Sequence, residues 1–61
     1  MDVGLSKKDG ADYLDFVGIK RIYKNIKKIG DKYEWFWVLT DRQDTDHWCS
    51  VDQYDISFVL E

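Results

Sequence analysis

The chain contains no proline, one cysteine (Cys49), one histidine (His47) and four glycines that stand apart from one another. Each shortage excludes something. A single thiol cannot close an intramolecular disulfide, so the staple of small secreted domains is excluded and a reducing compartment is favoured. Gly4, Gly10, Gly18 and Gly30 match neither the phosphate-binding loop nor the dinucleotide fingerprint. The longest uninterrupted apolar run is Trp35 to Leu39, far short of the roughly 20 residues of a membrane-spanning helix, and the opening "MDVGLSKKDG" lacks the apolar core of a signal peptide. The expectation is therefore a cytoplasmic chain without membrane contact. It begins with Met and carries no linker or repeat, which reads as a complete small gene product with one domain, 1–61, and a flexible N-terminal arm over residues 1–10.

What is present favours folding. Hydrophobic residues make up 44% of the 61 positions and aromatics 16%, enough to offset 34% charged residues. Stability is expected to be thin, because a chain of this length buries only about 60% of the surface its unfolded form exposes. With each ring able to bury roughly 150–250 Å², the aromatics are expected to supply most of the core.

Charge is segregated along the chain. Residues 20–32 hold Lys20, Arg21, Lys24, Lys27, Lys28 and Lys32 against Asp31, a net of +5, inside a protein whose overall charge is −3. Residues 33–61 carry seven acids against Arg42, a net of −6. From Phe16 onward, Ile19, Ile22, Tyr23, Ile26 and Ile29 recur at helical spacing, with the cations opposite them. Asp15 would cap the start, and Gly30 would end the helix. This spacing predicts a helix over 15–29. Strands are expected near 32–40, 46–51 and 55–60, where "KYEWFWVLT", "HWCSV" and "DISFVLE" alternate or run apolar between polar connections.

The expected fold is thus α+β: one amphipathic helix on a three-stranded antiparallel sheet, covering Trp35, Trp37, Leu39, Ile56, Phe58 and Leu60. The alternative is all-β. Valine, isoleucine and tyrosine favour strands, and "IGDK" at 29–32 suits a two-residue hairpin turn, which would give a small SH3-like barrel. In the α+β arrangement the uncovered sheet face would show Phe36, Val38 and Val59, a candidate homodimer patch.

Candidate chemistry is sparse. "DTDHWC" gathers Asp44, Asp46, His47 and Cys49, yet it lacks the two separated ligand pairs of a structural zinc site and the mid-loop glycine of a calcium loop. His47 and Cys49 are two apart on an expected strand, about 7 Å between Cα atoms, with no third group to orient a base. No catalytic residue, metal or cofactor is expected.

Binding is the better-supported class. Asp41, Asp44, Asp46, Trp48, Asp52, Tyr54 and Asp55 combine acids with aromatic anchors, a set suited to a protein partner with a basic surface, and to nucleic-acid mimicry if that surface normally holds DNA or RNA. In scale, acidity and aromatic sheet content the chain resembles small inhibitor proteins encoded by bacteriophages, several of which act on nucleic-acid enzymes. The resemblance covers no defined run of residues and transfers no functional positions. Two alternatives stand beside it: direct nucleic-acid binding by a basic helix face of Lys20, Arg21, Lys24, Lys27 and Lys28, and a structural subunit of a larger assembly.

Overall fold

The computed structural model describes residues 1–10 and 12–61, and every element in it is a β-strand. The strands are β1 (Asp2–Lys7), β2 (Tyr13–Phe16), β3 (Ile19–Ile29), β4 (Lys32–Asp41), β5 (Asp46–Ser50) and β6 (Tyr54–Leu60). They form two antiparallel three-stranded sheets, ordered β2-β1-β6 and β3-β4-β5.

The helix expected over 15–29 is absent, and this overturns the α+β fold. Its residues instead form the end of β2, a corner at Val17 and Gly18, and all of β3. The reason lies in the side chains. Ile22 pairs with Leu39, Tyr23 with Val38 and Ile26 with Trp35, so β-branched and aromatic residues meet across one ladder. Such pairs contribute about 0.2–1 kcal/mol each, and β-branched residues fit a pleated surface better than a helix. Gly30, which suits a helix end equally well, here takes φ +61° at the first central position of the turn between Ile29 and Lys32. That is the glycine position of a type II′ hairpin turn. The hairpin foreseen in the all-β alternative is present, and the three C-terminal strands lie within a residue of their expected positions.

The N-terminal segment also differs from expectation. Instead of an arm, Asp2–Lys7 is the central strand of the first sheet, with Val3 and Leu5 fully buried. Its alternation had little room to show, because Gly4 occupies the outward position between them. The two sheets are joined where the Met1 ammonium donates to the Ile19 carbonyl at 2.8 Å and the Ile19 N–H returns a bond to Met1 O at 2.8 Å. Gly18, at φ +74°, lets the chain turn from one sheet into the other.

Between the sheets lies a small aliphatic core of Val3, Leu5, Ile19, Leu39 and Cys49, bordered by Met1, Leu14, Phe16, Ile22, Trp37 and Tyr54. The aromatics line its margin and do not fill it. Trp37 illustrates why: its Nε1–H needs a partner when half-buried, and finds the Tyr54 carbonyl at 3.0 Å. Of the residues expected under a helix, Leu39 is buried and Trp37 half-buried, whereas Trp35, Ile56 and Leu60 are exposed. Phe58 packs elsewhere, against Tyr13 on the far side of the first sheet, with ring centroids 6.4 Å apart.

The molecule is a plate of 36 × 28 × 13 Å. Eleven residues of β3 span about 33 Å at the usual rise per residue, which accounts for the long dimension. The strands of the first sheet have at most seven residues. The β3–β4 hairpin therefore projects beyond the core, and Ile26, Ile29, Tyr33 and Trp35 are exposed along the projection.

Gly4 supports the first sheet by its lack of a side chain. The rings of Phe58 and Tyr13 lie over it so closely that a Cβ would overlap both, with Phe58 Cδ1 at 2.7 Å. Gly4→Ala is expected to destabilise the fold by about 1–3 kcal/mol, read as a lower urea midpoint. Combined with Phe58→Ala, the loss should be well below the sum of the two single changes. Additive effects, or a Gly4→Ala midpoint equal to the parent's, would contradict this packing.

Candidate functional site

The ladder register divides the second sheet into two faces. Leu39, Trp37, Cys49, His47, Ile22, Lys24, Ile26 and Lys28 share the inner side; the outer side carries Arg21, Tyr23, Lys27, Glu34, Phe36, Val38, Thr40, Asp46, Trp48 and Ser50. Among the described residues, no second sheet covers the outer face. Even so, Val38 and Thr40 are 0% exposed there. Val38 lies between Tyr23 on one neighbouring strand and Trp48 on the other, so the rings beside it supply its cover.

Those rings remain accessible. Tyr23 is 39% and Trp48 41% exposed, while Phe36 meets Trp48 edge to face with centroids 5.5 Å apart. Lys27 holds its ammonium 5.6 Å from the centre of the Trp48 ring, a cation–π contact. The acids of this face are engaged: Ser50 Oγ donates to Glu34 Oε1 at 2.6 Å, and Thr40 Oγ1 to Asp46 Oδ1 at 2.7 Å. Arg21 stands opposite Thr40 in the ladder, two residues from Tyr23. Trp48 therefore has a cation at its ring, and Tyr23 has one two positions along its own strand, where the charge of Arg21 also acts on Asp44.

The projecting part of the hairpin continues the same chemistry on its inner side. There Lys24, Ile26, Lys28, Tyr33 and Trp35 alternate across the two strands, and Lys24 Nζ lies 4.9 Å from the Trp37 ring centre. Apolar, aromatic and cationic groups thus occupy both sides of the projection.

The loop between β4 and β5 is an internal construction. Asp41 Oδ1 accepts from the backbone N–H groups of Gln43 at 2.9 Å and Thr45 at 3.0 Å, and His47 Nε2 lies 3.0 Å from Asp41 Oδ2. The bond from Thr45, followed by that with His47, holds the Asp41 carboxyl below the usual carboxylate range. Asp44 adopts φ +63°, a conformation aspartate tolerates better than most residues, and accepts from Lys20 Nζ at 2.6 Å. That hydrogen bond, reinforced by the lysine's charge, lowers the Asp44 carboxyl as well. Lys20 reaches it from the point where the β3–β4 register shifts, between Ile19 and Arg21.

His47 and Cys49 share the inner face but serve different surroundings. The imidazole engages Asp41 and lies 5.5 Å from the Phe16 ring, while the thiol is buried in the core, where desolvation pushes its pKa up. A raised thiol is a poorer source of thiolate.

The acidic and aromatic set expected to meet a protein partner does not form one surface. Asp41, Asp44 and Asp46 lie at one end of β5; Asp52 lies in the turn at its other end, about 13 Å away by strand length. Tyr54 borders the core, and Asp55 stands opposite Ser6 in the first sheet, 3.7 Å from Lys8. Of the set, only Asp46 and Trp48 lie on the outer face just described, and Asp46 is bonded there to Thr40.

The two other sets are also divided. Phe36 and Val38 share the outer face of the second sheet, but Val38 is fully buried, and Val59 pairs with Val3 in the other sheet. The three residues cannot make one dimer patch. Of the cations expected on one helix face, Arg21 and Lys27 project outward, Lys24 and Lys28 inward, and Lys20 pairs with Asp44. Tyr23 and Phe36 had no place in any expected binding cluster with cations. A period of two along "RIYKNIK" places Arg21, Tyr23 and Lys27 together, and that signal was open to view.

No protein-family model, curated protein or solved structure matches the chain.

The lowered carboxyls of Asp41 and Asp44 have a consequence for stability. A carboxylate whose pKa is depressed in the folded state contributes stability that is complete above its unfolded value, here 3.8, and lost as pH falls through the folded value. The urea midpoint should decline as pH drops below about 4. Replacing both residues by asparagine should lower the midpoint at pH 7 and flatten the acid limb. A variant whose acid limb matches the parent's would remove these two carboxylates from the explanation.

Proposed function

We propose that this protein is a non-enzymatic nucleic-acid-binding module whose contact surface is the outer face of β3-β4-β5 with the projecting hairpin. One observation carries the reading: Arg21, Tyr23, Lys27, Phe36 and Trp48 gather on one uncovered sheet face, with the neighbouring acids Glu34 and Asp46 bonded to hydroxyls of the same face. Exposed rings and cations together suit a ligand of flat bases and charged phosphates.

Overall acidity does not oppose this. Residues 20–32 carry +5 and the remainder of the chain therefore −8. At physiological salt the screening length is about 8 Å, so a phosphate meets the nearby hairpin charges more strongly than those of distant loops. The nucleic-acid-mimic reading draws less support. Two of its acids, Asp41 and Asp44, serve the β4–β5 loop, Asp46 accepts from Thr40, and Asp52 and Asp55 lie apart from them.

Fluorescence anisotropy with labelled mixed-sequence DNA and RNA tests the proposal. Binding should weaken with salt, with a slope of log K against log salt near −2 for about three phosphates neutralised. Arg21→Glu with Lys27→Glu should reduce affinity at least tenfold, whereas Asp52→Asn with Asp55→Asn should leave it equal or tighter. Undetectable binding by the parent at high micromolar concentration, or a charge-reversed variant that binds as the parent does, would defeat it.

A further inference from the structure

Resting on the nucleic-acid reading above, we infer that the outer face takes single-stranded nucleic acid, with separate bases stacked on Tyr23 and Trp48, and does not take duplex. Spacing is the first reason. Tyr23 and Trp48 lie on the two strands flanking β4, both opposite Val38, which puts their backbones about 10 Å apart across the sheet. Bases stacked in a duplex follow one another every 3.4 Å along a strand and turn only their edges outward. Two accessible rings this far apart can each receive a base only from a strand whose bases are splayed.

The second reason is how the cations are distributed. Lys27 stands at the Trp48 ring and Arg21 two residues from Tyr23, so each stacking position has a cation for the adjoining phosphate. Two ring-and-cation units make a repeating recognition unit of one base and one phosphate. Val38 lies fully buried on the strand between the rings, and Phe36 meets the Trp48 ring edge to face.

The third reason is what surrounds the face. Asp41 and Asp44 lie beyond one end of β5 and Asp52 beyond the other. Duplex DNA is stiff over about 50 nm and cannot bend around a plate whose largest dimension is 36 Å, so its phosphates would run over these carboxylates. A flexible single strand can instead lift its phosphates away from these carboxylates while its bases stay on the rings.

Titration of one labelled 12-nucleotide strand, alone and annealed to its complement, against the folded 61-residue chain decides the matter. Intrinsic tryptophan fluorescence serves as a second signal. The single strand should bind at least tenfold tighter than the duplex and quench tryptophan emission. Trp48→Ala and Tyr23→Ala should each weaken single-strand binding roughly tenfold, and Trp48→Phe, which keeps a ring, should retain most of it. Circular dichroism of each variant separates lost stacking from lost fold; if Trp48→Ala unfolds, the Tyr23→Ala and Trp48→Phe results carry the test. Equal affinity for duplex and single strand would overturn the stacking inference and leave the nucleic-acid reading standing. Binding to neither would overturn both. Equally tight binding to poly-glutamate or to vesicles of anionic lipid would also overturn the inference, because the face would then recognise negative charge and not bases.

Discussion

The ladder between Ile19–Ile29 and Lys32–Asp41 is the interaction on which the rest of the molecule depends. It places Ile19 and Leu39 where β1 can pack on them, gives β5 a strand to pair with, and carries the hairpin past the core. Its strength comes from cross-strand contacts among β-branched and aromatic side chains, with the Gly30 turn closing one end. The other end is tied to the first sheet by the reciprocal bonds of Met1 and Ile19. A chain of 61 residues has little core to spare, so a long ladder that also organises both sheets is an economical route to a single fold.

The same ladder shapes the candidate site. Because the first sheet covers only one side of the second, the outer face must shield its own apolar centre. Val38 is covered by Tyr23 and Trp48 from either side, and this self-covering leaves the rings half open to solvent. Shielding and display are therefore one arrangement. The cation–π contacts of Lys24 with Trp37 and Lys27 with Trp48 follow from the same alternation, which sets lysines beside aromatic neighbours on each face. The acids that dominate the composition are largely structural where the geometry is tight: Asp41 organises a loop, Asp44 holds Lys20, and Asp46 and Glu34 accept from hydroxyls.

Much of the C-terminal half was legible in the sequence. Alternation in "KYEWFWVLT", the polar run "DRQDTD" and the short apolar runs after it locate β4, β5 and β6 closely. Residues 16–29 were ambiguous for a physical reason. Apolar residues at 16, 19, 22, 23, 26 and 29 meet helical spacing, yet the same positions divide between the two faces of a strand when partners exist on both sides. Only β4 resolves this, by offering Leu39, Val38 and Trp35 as cross-strand partners. The N-terminal strand was hidden by its shortness and by Gly4, whose outward place is taken by the rings of Phe58 and Tyr13 from two other strands.

By itself the sequence determined the absence of an internal disulfide, the +5 segment within an acidic chain, and three of the strands, since each of these depends on residue identity or short-range alternation alone. Tertiary structure decided which way each charged or aromatic side chain faces. A shift of period from 3.6 to 2 moved the cations from one helix side to two strand faces and set Tyr23 and Trp48 on either side of Val38. That choice is non-local, because the helix and the strand differ less in their own residues than in the partners each one finds.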